Sequence, residues 1–408
     1  MNPQTIQWLV IGLTALVAVI KVVVNELDIS SAKTAITSGA KEETVKAVNY
    51  NRTTRRFQST KTVIQSAVLI ALVVTGFFGA AQEYFVSQSA DPMWQDFLFM
   101  FSLLLTLFLV SIPFAVYKTF VIEAKFGFNR TKPGTFVADR IRGLILGVVI
   151  LGPVLILLMW IYQQLPTQIW WIAFLVLMVI QLFQFAYGVS LILPLFNKLK
   201  QLPEGELKDK ILAMCKEQNY QVKRIFVMDS SKRSSKTNAF FSGIGKTRTI
   251  VLFDSLIEKH TTDEVVAVLG HEIGHDRLGH VRNLLILSTV QSFAIFALFG
   301  WAAQSADLSM ALGASSTNIV IGLIGFSALF SPVNLILSTL DNTYSRKAEH
   351  AADIFSAKIG NRKDIEDALN RLGVDNLSNP APHPLYVFMY YNHPTIKQRI
   401  AHLRAVAE

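Results

Sequence analysis

The sequence predicts a mainly α-helical, polytopic membrane protein: seven transmembrane helices and a smaller α+β unit built from polar segments at one membrane face. Three observations carry this. Apolar residues gather in seven runs, at about 6–24, 63–81, 97–117, 143–162, 169–187, 284–301 and 318–340, each near the roughly 20 residues that cross a bilayer. Charged residues make up only 16% of the chain, against about 25% in soluble domains. The loops between the runs alternate in Lys and Arg content.

The first run has no basic residue before it and no small-residue cleavage site, so it reads as a retained helix. The loop after it carries Lys33, Lys41, Lys46, Arg52, Arg55, Arg56 and Lys61, whereas the next loop holds only Glu83, Asp91 and Asp96 as charges. Lys118, Lys125, Arg130, Lys132, Arg140 and Arg142 follow the third run, and residues 163–168 again lack Lys and Arg. Residues 197–283 are rich in both, 302–317 have neither, and the tail is basic. The positive-inside rule then puts the N-terminus outside and the C-terminus in the cytoplasm. The net charge of +9 follows from these loops. A basic chain can also bind nucleic acid, but charge spread over one membrane face argues against that.

The expected organisation is 1–196 for spans one to five, 197–283 for a cytoplasmic segment, 284–340 for spans six and seven, and 341–408 for a second cytoplasmic segment. In the first polar segment, 204–219 reads as a helix and 222–228 as a strand. Residues 239–241 and 249–253 flank Gly243 and Gly245 and read as a hairpin. Thr261-Thr262-Asp263-Glu264 has capping-box chemistry and opens a helix expected to run unbroken to about Asn283 and into span six. In the tail, 345–359 reads as a helix closed by Gly360, followed by helices at 363–372 and 394–405. Cys215 is the one cysteine, so no intrachain disulfide can form; its amphipathic surroundings favour a small buried residue over a catalytic thiol.

His271-Glu272-Ile273-Gly274-His275 carries the chemistry. Histidines four residues apart share a helix face and can both ligate one Zn²⁺, while Glu272 takes a proton from a zinc-bound water. A catalytic site needs a third protein ligand and an open position. The HExxHxxGxxH arrangement fails, because Leu278 and Val281 stand where Gly and His would be. His280 lies about 140° around a continuous helix from His275 and is out of register. Glu349, after span seven, fits as third ligand, and Asp353 one turn on could orient a ligand histidine; the Ala351-Ala352 pair would allow close helix approach. A solvated helix face is the plain alternative for both carboxylates. His393 and Arg399 are candidate donors to a developing oxyanion, or merely a polar loop and a helix start. His260, His383 and His402 have no partner in sequence and read as surface residues.

Seven spans, the His271–His275 motif before span six and Glu349-x-x-x-Asp353 after span seven resemble the integral-membrane zinc CAAX-prenyl endopeptidases, a gluzincin-type family. The resemblance takes in Asn238-Ala239-Phe240-Phe241-Ser242-Gly243, the run from Thr249 to Leu256, and Asn392-His393-Pro394, so it covers essentially the whole chain. HtpX-type heat-shock proteases share the zinc motif with fewer spans. The resemblance implies a barrel of seven helices around a water-filled intramembrane chamber, capped on the cytoplasmic side by a zincin-like unit holding one Zn²⁺. It implies that Asn238 hydrogen-bonds the substrate backbone and that the strand at Ala239 and Phe240 holds the substrate by edge pairing. His393 and Arg399 would sit near the scissile carbonyl and Glu349. In eukaryotic members the substrate is a prenylated protein that loses its last three residues. The compact loops here look more like a bacterial homologue in the cell membrane, for which membrane-protein quality control is a further role. The expected partners are a peptide or protein substrate and the lipid bilayer, without nucleic acid. Two rival classes are a seven-helix receptor or transporter and a zinc-binding chaperone without proteolysis. Transport sites place ionisable residues inside spans, where this chain has only Lys21, near a span end. Nothing in the sequence excludes the chaperone as an added role.

Overall fold

The computed structural model describes all residues except 37, 38, 244–247, 407 and 408. The elements run α1 (Pro3–Lys33), α2 (Glu42–Val74), α3 (Phe77–Gln88), α4 (Pro92–Val116), α5 (Pro133–Gln164), α6 (Ile169–Tyr187), β1 (Leu199–Gln201), α7 (Glu206–Glu217), β2 (Arg224–Met228), β3 (Ala239–Ser242) and β4 (Thr249–Phe253). There follow α8 (Asp254–Lys259), α9 (Thr262–Arg277), α10 (His280–Ala303), α11 (Ala306–Ala311), α12 (Ile319–Ile359), α13 (Arg362–Asp375), α14 (Pro384–Tyr390) and α15 (Ile396–Ala405).

Among the described residues, seven helices are long and apolar enough to cross a membrane: α1, α2, α4, α5, α6, α10 and α12. Their contacts close a ring. α1 packs on α2, which leads through α3 to α4, then α5, α6, α10 and α12, and α12 returns to α1. Only 6% of the most apolar window of α2, and likewise of α5, is buried within the protein. A helix inside a tight bundle buries far more, so these two helices are sparsely covered, as the walls of a wide barrel are.

Several elements differ from the sequence expectations. The run at 63–81 is not one helix: α2 ends at Val74, Gly76 takes φ +67°, and α3 turns away. A Cβ on Gly79 in α3 would stand 1.8 Å from the Gly313 carbonyl oxygen, so the chain reversal packs directly on the loop between α11 and α12. Span seven and the first tail helix are a single 41-residue helix, α12. The charges after position 340 end the apolar run, but no Gly or Pro interrupts the helix there. Gly360 does not cap it in a left-handed conformation, having φ −133°. Conversely, α9 and α10 are separate helices, because Gly279 adopts φ +72° between them. β1, α11 and α14 have no counterpart in the sequence reading, and Gly245 of the expected hairpin lies outside the described residues.

The strands form one mixed sheet in the order β1-β2-β4-β3. β2 and β4 are parallel in the middle, and among the described residues β3 pairs antiparallel with β4 alone, which leaves its other side as a free edge. Ile250, Leu252, Leu256, Leu269 and Ile273 pack into one core beneath the sheet, joining β4, α8 and α9. Fully burying such a side chain stabilises by about 1.5–3 kcal/mol. The tail is tied to the membrane helices by Asp28 of α1, which is 1% exposed. Its carboxylate accepts from Arg55 Nε (2.9 Å), Asn379 Nδ2 (3.2 Å) and the His383 amide (3.0 Å).

Candidate metal centre

α9 starts where the capping box predicts. The Thr261 hydroxyl accepts from the Glu264 amide, and Glu264 Oε2 accepts from the Thr261 amide. Glu264 also accepts from Arg371 of α13, which fixes the helix start against the tail. Two small residues then let α12 approach. A Cβ on Gly274 would lie 3.3 Å from Ala352 Cα, and one on Gly270 would lie 3.1 Å from Ser356 Oγ. The Ser356 hydroxyl donates to the Ala267 carbonyl at 2.6 Å. Of the Ala pair, it is Ala352, fully buried, that forms the contact.

That approach brings His271, His275 and Glu349 together, with one ligand atom from each within 4.8 Å of the others. His271 Nε2 stands 3.1 Å from His275 Nε2. Glu349 Oε2 is 3.3 Å from His271 Nε2, and Oε1 is 3.1 Å from His275 Nε2. Ligands about 2 Å from one tetrahedral ion are separated by roughly 3.3 Å, so the spacing fits. The donor chemistry fits too. His271 Nδ1 donates to Asp353 Oδ1 at 2.9 Å, which leaves Nε2 as a lone pair facing the other ligand atoms. Glu349 Oε2 is buried and accepts no hydrogen bond. Acceptors converging on one point call for a cation between them.

The electrostatics agree. Burial opposes a charge on His271, but the Asp353 and Glu349 carboxylates facing its two ring nitrogens prevail and raise it to about 9, so that a proton takes the ligand position on Nε2 when no cation does. The pocket thus favours positive charge at the ligand position. Glu272 is raised from the ordinary Glu value by burial, against the pull of His271 and His275. A carboxylate so raised is a better proton acceptor.

Two further residues close the site. Arg399 of α15 donates through Nε to Asp353 Oδ2 at 2.8 Å and through Nη2 to Oδ1, while Nη1 lies 3.4 Å from Glu349 Oε2. Its guanidinium is therefore committed to the two carboxylates. His393 comes from the open side. Its side chain is 54% exposed, its Nε2 lies 3.2 Å from Glu349 Oε1, and its Nδ1 lies 2.8 Å from Asn392 Oδ1. Asn238 precedes the edge strand; its carbonyl accepts from the Phe253 amide. Ala239 and Phe240 belong to β3, which packs against α9.

His280 corrects the register argument. The break at Gly279 turns it back, and its Nδ1 lies 3.1 Å from His275 Nδ1. It stands behind His275, a place that helical periodicity could not show. His260 is not on the surface: its side chain is fully buried between Glu264 (3.3 Å) and Asp375 (3.6 Å). His383 caps α14 through Nδ1, and His402 packs against His350 with the rings tilted and their centroids 4.3 Å apart. Cys215 is buried in the core, and burial pushes its thiol up to about 11, which leaves no thiolate for chemistry.

Comparison with known proteins gives the same picture over the whole chain. Residues 32–198 match the family model described as CAAX prenyl protease N-terminal, five membrane helices, and residues 201–407 match peptidase family M48. CAAX prenyl protease 1 of Saccharomyces cerevisiae is 36% identical over 316 residues, covering 74% of this chain and 70% of the relative. The human CAAX prenyl protease 1 homolog is 34% identical over 374 residues, covering 82% and 77%. The crystal structure of S. mikatae Ste24p superposes with a TM-score of 0.91 at 28% identity, covering 98% of this chain and 99% of that one. The chain is a membrane-embedded metallopeptidase and belongs to the CAAX prenyl protease family of M48 peptidases.

Proposed function

We propose that this peptidase uses one Zn²⁺ held by His271, His275 and Glu349, and that it cleaves prenylated polypeptides near their C-termini. The convergence of three ligand atoms, with Asp353 fixing the His271 tautomer, carries the reading of the site. Two histidines and a carboxylate suit zinc in a hydrolytic site. When bound, the ion supplies Lewis acidity, polarising a carbonyl and acidifying water.

The chain's own residues do the rest. Glu272 accepts the proton of the attacking water and returns it to the leaving amine. His393 donates to the oxygen of the scissile carbonyl as charge develops there. Arg399 positions Asp353 and Glu349 and does not itself reach the substrate. The free edge of β3 pairs with the extended substrate backbone, and Asn238 adds a side-chain hydrogen bond beside it. Residues 197–283 and 341–408 act as one catalytic unit, since α9 and α12 together supply the ligands.

The relatives named CAAX prenyl proteases support a prenylated substrate, and the ring of sparsely packed spans agrees with the chamber that the family resemblance implies. Loop charges support a cytoplasmic active site with the N-terminus outside, and the compact loops support a bacterial cell membrane. The compact loops also favour a second reading, general cleavage of membrane proteins. A purified-protein assay separates them: a farnesylated CAAX peptide should be cleaved at least tenfold faster than its unprenylated twin, with one zinc per chain by elemental analysis. Equal rates would move the function to general proteolysis, and a metal-free active enzyme would overturn the site.

A further inference from the structure

Away from the metal centre, a groove of about 1060 Å³ opens between the polar half of α2 and the end of α4 with its π-helical continuation, Tyr117–Glu123. Its charge is one-sided. Lys46, Arg52, Arg56 and Lys125 line it, and Glu42 is the one acid among the described lining residues. Glu123, next in sequence to the lining residue Ile122, is engaged by Tyr50 and Lys236. Among the described residues, none of the four cations forms an ion pair or a hydrogen bond. They come from two separate elements and face one concavity, and unpaired cations placed so repel one another.

The floor is apolar and aromatic. Phe57 stacks on Tyr117 with centroids 5.6 Å apart and packs on Phe114 at 6.3 Å. The groove also lies at the membrane boundary. The apolar run of α2 begins near position 63, while on the other wall Val116, Tyr117 and Val121 are exposed and apolar before Lys125. Cations above and exposed aromatics below match an amphiphile with an anionic head and a hydrocarbon chain.

We propose that this groove binds one anionic phospholipid, its phosphate held by Arg52 and Arg56 within the wider field of Lys46 and Lys125, and one acyl chain laid over Phe57, Phe114 and Tyr117. A free phosphate would leave the aromatic floor bare. An acidic peptide would leave the membrane-level end of the groove unused.

Native mass spectrometry of the full-length protein in neutral detergent tests this, with phosphatidylglycerol and phosphatidylcholine as probes. The wild type should retain phosphatidylglycerol with on the order of tenfold preference or more. A variant carrying Lys46→Gln, Arg52→Gln, Arg56→Gln and Lys125→Gln should lose that preference and keep its metal and its peptidase activity in detergent. If that variant fails to fold, Arg52→Lys with Arg56→Lys should retain the preference, and Arg52→Gln with Arg56→Gln should weaken it. No preference in the wild type, or an undiminished one in the charge-neutral variant, overturns the proposal. So does displacement of the lipid by millimolar glycerol phosphate or by an acidic peptide, which would make the site one for soluble anions or for protein.

Discussion

Arg399 Nε lies 2.8 Å from Asp353 Oδ2, and both side chains are buried. The pair joins the last helix of the chain to the helix that supplies Glu349, and Asp353 passes the constraint to His271 through its other oxygen. Arg399→Ala strands a buried carboxylate, which costs about 3–5 kcal/mol. It also frees a partner of a ligand histidine, which weakens metal binding by roughly 10–100-fold. Arg399→Lys should fall between, because one ammonium cannot replace the two-point contact. Competition with a chromogenic chelator and thermal unfolding measure the two effects.

His280 lies against His275, the second of the proposed ligands. Its Nδ1 faces His275 Nδ1 at 3.1 Å. His280→Ala should lower metal affinity by about tenfold, and His280→Gln, which keeps a hydrogen-bonding group, should recover part of it. Equal losses in both variants would reduce His280 to a packing role.

His393 should separate catalysis from metal binding. It reaches Glu349 from the exposed side and lies outside the three-residue ligand cluster. His393→Ala should cut kcat by roughly 10²–10³ while zinc stoichiometry stays at one. Loss of the metal in step with the rate would assign it to the ligand set.

The metal-free protein should show a specific pH dependence. Burial opposes the charge on His271, but the Asp353 and Glu349 carboxylates facing its ring nitrogens raise it from 6.5 to about 9. A basic group raised on folding stabilises the fold fully below its unfolded value and loses that contribution as pH climbs through the folded one. The apo protein should therefore lose thermal stability between about pH 6.5 and 9. The zinc-loaded protein should change little there, since the metal replaces the proton. Parallel melts with and without chelator show whether the two curves part.

Much of this site was legible because it rests on local chemistry. The Thr261–Glu264 cap, the i,i+4 histidines and the carboxylate pair at Glu349 and Asp353 each announce a helix and a face. The seven spans were legible from apolar length, although their ends were not. Hydropathy stops at a charge, whereas helix α12 continues through 19 further residues because its backbone has no reason to stop. The break at Gly279 is not legible because a single Gly in the polar stretch from Asp276 to Asn283 does not reveal its φ, and that break decides where His280 points. Arg399 meets Asp353 across 46 residues, and Asp28 meets Asn379 across 351. No periodicity spans such separations; they follow from the packing of α12 and α15 and from the closure of the helix ring.

The most direct test of the account is Glu272→Gln. It removes the proton acceptor and keeps the side chain's size beside both histidines. Turnover of a farnesylated CAAX peptide should fall by at least about 10²-fold, with one zinc per chain retained and the melting temperature unchanged. Turnover near the wild-type rate with zinc bound would contradict the assignment of Glu272 and the mechanism built on it.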